Sequence, residues 1–208
     1  MTINSIYFKF KIPPNLQRHM RDVASVCQYI LDNWMGETVD RQLTIRSSLL
    51  HDLGNLVKFK RPFMGELEVE AEHWQAVQDD LISRYGTDAK NATHQMVAEV
   101  GLEDSIGTVL RDMDRLLDSA NDVMPEAEIV EFADLCVSPE GIVGYQLRKQ
   151  DLIDRYGATH GLDWVEPADQ LLIALQKKVG IDLTTIETYD YSEHGKIVSQ
   201  IVLEDEIL

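Results

Sequence analysis

The chain has 208 residues, of which 44% are hydrophobic and 26% are charged, a balance typical of one globular domain with a sizeable core. Asp and Glu number 36 against 19 Lys and Arg, which gives a formal net charge of −17. A surface this acidic repels nucleic-acid phosphates and anionic lipids, so we expect neither a nucleic-acid polymer nor a membrane as a partner. A small phosphorylated substrate stays compatible, because a metal ion or a few cations can reverse the field inside a cleft.

The cellular compartment is indicated by the two cysteines, Cys27 and Cys136, which lie far apart in helix-like segments without CxxC spacing. They predict reduced core thiols. No apolar run approaches the ~20 residues that cross a membrane, and the first residues lack the apolar stretch of a signal peptide. We therefore expect a cytoplasmic protein.

The first elements along the chain are a strand and two helices. The segment from Ser5 to Ile12 alternates polar and apolar residues and is compatible with a strand. A helix begins near Pro14, and its apolar residues recur every three or four positions as far as Trp34. A second helix is predicted over 40–57, with an interruption at Gly54.

Further helices follow the same apolar periodicity. They are predicted over 67–85, 88–101, 106–117, 125–137, 145–156 and 167–180. The tail, 184–203, is rich in β-branched and aromatic residues and has His194-Gly195 at a turn position, which predicts a short β-hairpin. The fold class is thus mainly all-α: a helical core over 1–160, and a C-terminal helix with a possible hairpin over 161–208, packed together as a single domain.

Four titratable residues fall on apolar sides of these helices: His19, His51, Asp52 and Asp134. One inward histidine is usually a hydrogen-bonded core residue. Several imidazoles and carboxylates from separate helices each carry a desolvation cost, which one shared divalent cation would offset. A bound cation also activates water for hydrolysis near neutral pH.

The order of these residues is the most specific signal in the chain. His19 is followed about thirty residues later by His51-Asp52, and Asp134 comes about eighty residues after that. The segments that carry them are LQRHMRDVASV, SSLLHDLGNLVKF and EIVEFADLCV. From about residue 12 to about residue 156, the chain resembles the HD-domain superfamily of metal-dependent phosphohydrolases.

The resemblance implies an HD-domain helical bundle in which His19, His51, Asp52 and Asp134 ligate a divalent transition metal. Imidazole and carboxylate ligands suit Mn, Fe, Co, Ni or Zn. The implied activity is hydrolysis of a small phosphomonoester or nucleotide by a metal-activated water, with Asp52 as a catalytic carboxylate.

Two histidines lie between the His-Asp pair and the last aspartate: His73 and His94. Some branches of the superfamily hold a second metal through extra histidines in this interval. The resemblance therefore leaves open whether one or two ions bind. The alternative for both residues is a surface or supporting position.

Asn55 departs from the pattern of the nucleotidase-like branch, where a glutamate at this position orients the attacking water. An amide can orient a water or hold a phosphate oxygen, but it cannot act as a general base. We therefore expect Asn55 to orient a water or to hold a phosphate oxygen, and the metal-bound water to be assisted by Asp52 or another carboxylate.

A cluster of cations follows directly: Lys58, Lys60 and Arg61 lie within four residues of one another. If they stand at the mouth of the cleft, they can hold the non-reacting oxygens of a phosphoryl group. The alternative is a solvated loop.

Two other functions stay open. A two-iron centre completed by His73 and His94 would allow an HD-type oxygenase. A structural pocket would make the chain a non-catalytic nucleotide sensor or a protein-interaction module. An open edge of the predicted C-terminal hairpin could pair with a second copy, so a homodimer is a further expectation.

Overall fold

The computed structural model describes residues 1–116, 123–204 and 206 of the chain. This part is mainly helical, with a two-stranded antiparallel sheet, which confirms the mainly all-α fold class. Within it, every helix is too short or too polar to cross a membrane.

The N-terminal segment is helix α1 (Ile3–Phe10), so the predicted strand is wrong. Its buried positions recur at helical spacing: Ile3, Ile6, Tyr7 and Phe10. Phe8, which the alternation placed on the apolar side, is 87% exposed. Thr2 caps the helix because its Oγ1 accepts a hydrogen bond from the Ser5 amide at 3.2 Å.

The next two helices are α2 (Pro14–Asp32) and α3 (Arg41–Ser48). The missing N–H of Pro14 is harmless in the first turn of a helix. The predicted helix over 40–57 ends earlier than expected, because α3 stops at its eighth residue and a series of turns follows. A short 3₁₀ helix, Asn55–Lys58, completes this segment directly after Gly54.

The middle of the chain forms α4 (Ala71–Tyr85), α5 (Ala89–Glu99) and α6 (Ile106–Leu116). Asp88 caps α5 by accepting a hydrogen bond from the amide of Asn91 at 2.7 Å. These helices match the predicted ones to within a few residues at each end. Position 117, the last residue of the predicted fifth helix, lies outside the described residues.

Helix α7 (Pro125–Asp134) leads into the small sheet and the next helix. Strand β1 (Val137–Ser138) pairs antiparallel with β2 (Gly141–Ile142), and α8 (Tyr145–His160) follows. Asp134 is therefore the last residue of its helix, not an interior one.

The C-terminal segment contains α9 (Val165–Gln176) and α10 (Ser192–Glu204). The predicted hairpin is wrong, since its second half is helical. The buried residues of α10 are spaced by four: His194, Val198 and Val202. Gly195 continues the helix, with its amide donating to the Tyr191 carbonyl at 2.8 Å. Over residues 184–203, all of which the structure describes, there is no strand edge that would recruit a second copy, and the homodimer stays a prediction.

The core is organised around α2, which contacts α3, α7 and α10. Helix α10 also contacts α1, and α9 contacts α7, so the C-terminal helices pack directly on the preceding ones. The boundary at residue 160 stays a prediction. Cys27 and Cys136 are both buried and free, as core thiols are.

Candidate metal centre

Three side chains from separate segments meet beside α7. His19 lies on α2, His51 lies in the turns after α3, and Asp134 ends α7. Nε2 of His19 is 2.9 Å from Asp134 Oδ1, and Nε2 of His51 is 3.4 Å from the same oxygen. All three ligand atoms lie within 4.8 Å of one another, so the group could hold a metal ion.

The ring orientation of His51 favours a metal. Its Nδ1 lies 2.8 Å from the carbonyl oxygen of Ser48. A carbonyl only accepts, so Nδ1 carries the proton and the neutral ring has its lone pair on Nε2. Nε2 is buried and has no hydrogen-bond partner among the described residues. A buried polar atom without a partner is unfavourable, and coordination to a cation would satisfy it.

Asp52 lies beside this group. Its Oδ2 is 3.6 Å from Nε2 of His19 and 3.8 Å from Nε2 of His51. The same oxygen accepts a hydrogen bond from the side-chain amide of Asn55. The structure thus brings the four predicted ligands, including Asp134, to one place, and Asn55 contacts one of them directly.

The charges of these groups depend strongly on one another. Burial by itself lowers the pKa of His51, but the carboxylates of Asp52 and Asp134 raise it more, to about 9. Burial by itself raises the pKa of Asp134, but its contacts with the imidazoles of His19 and His51 hold that pKa well below its usual range. Without a metal, the carboxylates of Asp52 and Asp134 therefore favour a protonated, positively charged His51.

Gly54 fixes the turn that carries His51 and Asp52 against α5. Its amide donates to Oγ1 of Thr93 at 2.9 Å, and that hydroxyl donates to the carbonyl of Ala89 at 2.9 Å. A Cβ at position 54 would lie 2.5 Å from the Ala89 oxygen and 2.6 Å from the Thr93 nitrogen. These are backbone atoms of a helix, so the close approach requires a glycine.

A cavity of about 340 Å³ opens at this centre. Its walls come from the 3₁₀ helix, α5, α6, α7 and the start of α9. Two lysines line it, Lys58 and Lys90, together with four apolar side chains: Ala89, Leu110, Met113 and Trp164. The cavity therefore combines the metal-ligand group with both positive and apolar surface.

Only one member of the predicted cation cluster reaches this cavity. Lys58 lines it, but Lys60 and Arg61 do not. The guanidinium of Arg61 is bound instead by the side chains of Gln78 and Asp79 on α4. Arg61 is close to Lys58 in sequence, but its side chain binds α4 and does not reach the cavity.

The two additional histidines are in different places. His94 lines the cavity, with its Nε2 2.7 Å from Oδ2 of Asp114, whose other oxygen lies 3.1 Å from Nζ of Lys90. His73 is exposed on α4, where its ring packs edge-on against Trp74 at 4.8 Å between centroids. The structure does not bring His73 and His94 together at one site.

Sequence reasoning missed four charged or aromatic residues that line the cavity: Lys90, Asp114, Glu131 and Trp164. Helical periodicity could have found two of them, because Lys90 is four residues before His94 and Glu131 is three residues before Asp134. Burial and the negative charge of Asp134 raise the pKa of Glu131 to about 8. Nothing in the sequence marks Asp114 or Trp164.

Comparison of the chain with protein-family models, with curated proteins and with solved structures finds no match.

Proposed function

We propose that the protein is a metal-dependent phosphohydrolase of the HD-domain superfamily, acting on a small phosphomonoester or nucleotide. The observation that carries the proposal is the buried Nε2 of His51, which lacks a hydrogen-bond partner among the described residues and faces His19 and Asp134 beside an open cavity. A buried nitrogen without a hydrogen-bond partner is unfavourable, and coordination to a cation would satisfy it.

The metal would be held by His19, His51 and Asp134, with Asp52 as a fourth ligand or a neighbouring base. These ligand types suit Mn, Fe, Co, Ni or Zn. When bound, such an ion supplies a Lewis acid that makes water nucleophilic near neutral pH and neutralises charge on phosphoryl oxygens.

The protein's own side chains would bind and orient the substrate. Lys58 and Lys90 line the same cavity and can donate charge-assisted hydrogen bonds to non-reacting phosphoryl oxygens. Asp52 can accept a proton from the attacking water, and the amide of Asn55 holds its carboxylate in orientation. In this role Asn55 supports the base, which agrees with an amide's inability to act as one.

The oxygenase alternative has less support. It needs two ions, yet His73 is remote from the cavity and His94 is paired with Asp114. A non-catalytic nucleotide sensor would use the same cavity without turnover. Release of inorganic phosphate separates this sensor from a hydrolase, and a requirement for oxygen would identify an oxygenase.

The experiment measures phosphate release from a panel of nucleotides and sugar phosphates, with the protein loaded with Mn²⁺ or Co²⁺. Asp134→Asn removes a ligand charge with little change in volume, and we expect it to lower the rate by about 100-fold or more. His73→Ala is the matched control because it removes an exposed histidine outside the cavity. Equal rates in wild type and Asp134→Asn would overturn the proposal.

A further inference from the structure

Trp164 lines the cavity although it belongs to the C-terminal segment, outside the part of the chain that resembles the HD superfamily. It immediately precedes α9, and its carbonyl accepts a hydrogen bond from the Ala168 amide at 3.0 Å. Helix α9 packs on α7, which carries Glu131 and Asp134, and Trp164 lines the same cavity as these two residues.

The indole is only partly buried. It packs against the hydrophobic core and also lines the cavity. A tryptophan ring is a large flat apolar surface, so its exposed part is available for stacking by a ligand.

The remaining lining sets the shape of that ligand. Leu110 and Met113 add apolar surface, whereas Lys58 and Lys90 add positive charge. A volume of about 340 Å³ is at the lower end of the range of small-molecule sites, enough for a phosphoryl group and one compact apolar group. Apart from Ala89, the other lining residues are polar or charged, so Leu110, Met113 and Trp164 supply most of the apolar surface that a planar ring could contact.

We infer that the cavity selects phosphomonoesters whose alcohol part carries a planar ring, and that Trp164 is the residue that stacks on this ring. The inference rests on the proposed phosphohydrolase function and names its substrate class. Stacking on an aromatic side chain tolerates different bases, so Trp164 would distinguish ring from non-ring esters more than one base from another.

The test compares adenosine 5′-monophosphate, which has a planar ring, with glycerol 3-phosphate, which has none. Trp164→Leu keeps apolar bulk but removes the planar face, and Trp164→Phe keeps a ring. Leu162→Ala, at a neighbouring residue that is 51% exposed, controls for local disturbance. The readouts are kcat/KM with bound Mn²⁺, and thermal unfolding to verify that each variant folds.

We expect Trp164→Leu to lower kcat/KM for adenosine 5′-monophosphate about tenfold and to leave glycerol 3-phosphate within about twofold. Trp164→Phe should recover most of the loss, and Leu162→Ala should match wild type. An equal loss with both esters, or no loss with the nucleotide, would overturn the assignment of Trp164.

A calorimetric titration separates this inference from the proposed function. If wild type releases phosphate from no ester of the panel, including these two, the hydrolase proposal fails and the affinity for adenosine 5′-monophosphate decides the role of Trp164. Binding about tenfold weaker in Trp164→Leu than in wild type supports the stacking role, and equal affinity refutes it.

Discussion

The carbonyl oxygen of Ser48 accepts a hydrogen bond from Nδ1 of His51 at 2.8 Å. Ser48 is the last residue of α3, where carbonyls lack partners within the helix. One imidazole thus satisfies a helix end with one nitrogen and offers the other to the candidate metal group. His51 therefore connects the C-terminal end of α3 to the candidate metal centre.

The stability of the metal-free protein should depend on pH through His51. Its folded-state pKa of about 9 lies above the ordinary value of 6.5. A raised pKa contributes stability that is fully present below pH 6.5 and is lost as the pH rises through 9. In the presence of a chelator, we expect the free energy of unfolding to fall by on the order of 3 kcal/mol over this window, relative to His51→Gln.

Urea denaturation at a series of pH values measures this difference. Since His51→Gln cannot gain the proton, subtracting its pH profile removes the contributions of other groups. Parallel profiles for wild type and His51→Gln would show that the carboxylates do not stabilise a protonated His51.

Gly54→Ala should be strongly destabilising. The added Cβ would lie 2.5 Å from the Ala89 oxygen, and the helix backbone there cannot move easily. We expect a loss of about 2 kcal/mol or more in chemical denaturation. Gly107→Ala on α6 is the control, because its nearest neighbour would be 3.5 Å away and alanine favours a helix by about 1 kcal/mol. Similar effects of the two substitutions would contradict the close approach.

Thr93→Val tests the hydrogen bond that anchors the same turn. The substitution keeps the shape of the side chain but leaves the Gly54 amide without its acceptor, which costs about 1–3 kcal/mol. Thr93→Ser retains the hydroxyl and should recover most of that stability. Equal denaturation midpoints for Thr93→Val and Thr93→Ser would show that this hydrogen bond does not contribute to stability.

Lys58 and Lys60 provide a matched pair for substrate binding. Both are exposed lysines in the same short segment, but only Lys58 lines the cavity. Loss of a charge-assisted hydrogen bond to phosphate should raise KM about tenfold in Lys58→Ala and leave Lys60→Ala unchanged. Steady-state kinetics with one phosphomonoester measures both, and an equal increase in KM would place the phosphate elsewhere.

Helical periodicity predicted most of the fold from the sequence. The prediction was wrong at the two ends of the chain, where the residue composition favours strands although the buried residues have helical spacing. In α1 the alternation of Tyr7, Phe8 and Lys9 obscured a helical face, and in α10 the β-branched residues obscured the four-residue spacing of Val198 and Val202. Tertiary packing decides such short segments, because their intrinsic preferences are weak.

The candidate metal ligands could be predicted from the sequence because imidazoles and carboxylates are unusual on the apolar faces of helices. The other residues that line the cavity could not be predicted in this way. Asp114 lies on a charged helix face, and Trp164 reaches the cavity only because α9 packs on α7. The position of Arg61 likewise depends on partners on α4 that are distant in sequence.

Metal content is the most direct test of the central claim, that His19, His51 and Asp134 hold one divalent ion. After incubation with Mn²⁺, Co²⁺ or Zn²⁺ and removal of excess metal, elemental mass spectrometry should find about one ion per wild-type chain and per His73→Ala chain. His51→Ala and Asp134→Asn, each shown to be folded, should retain almost none. Equal metal content in all four proteins would contradict the assigned centre.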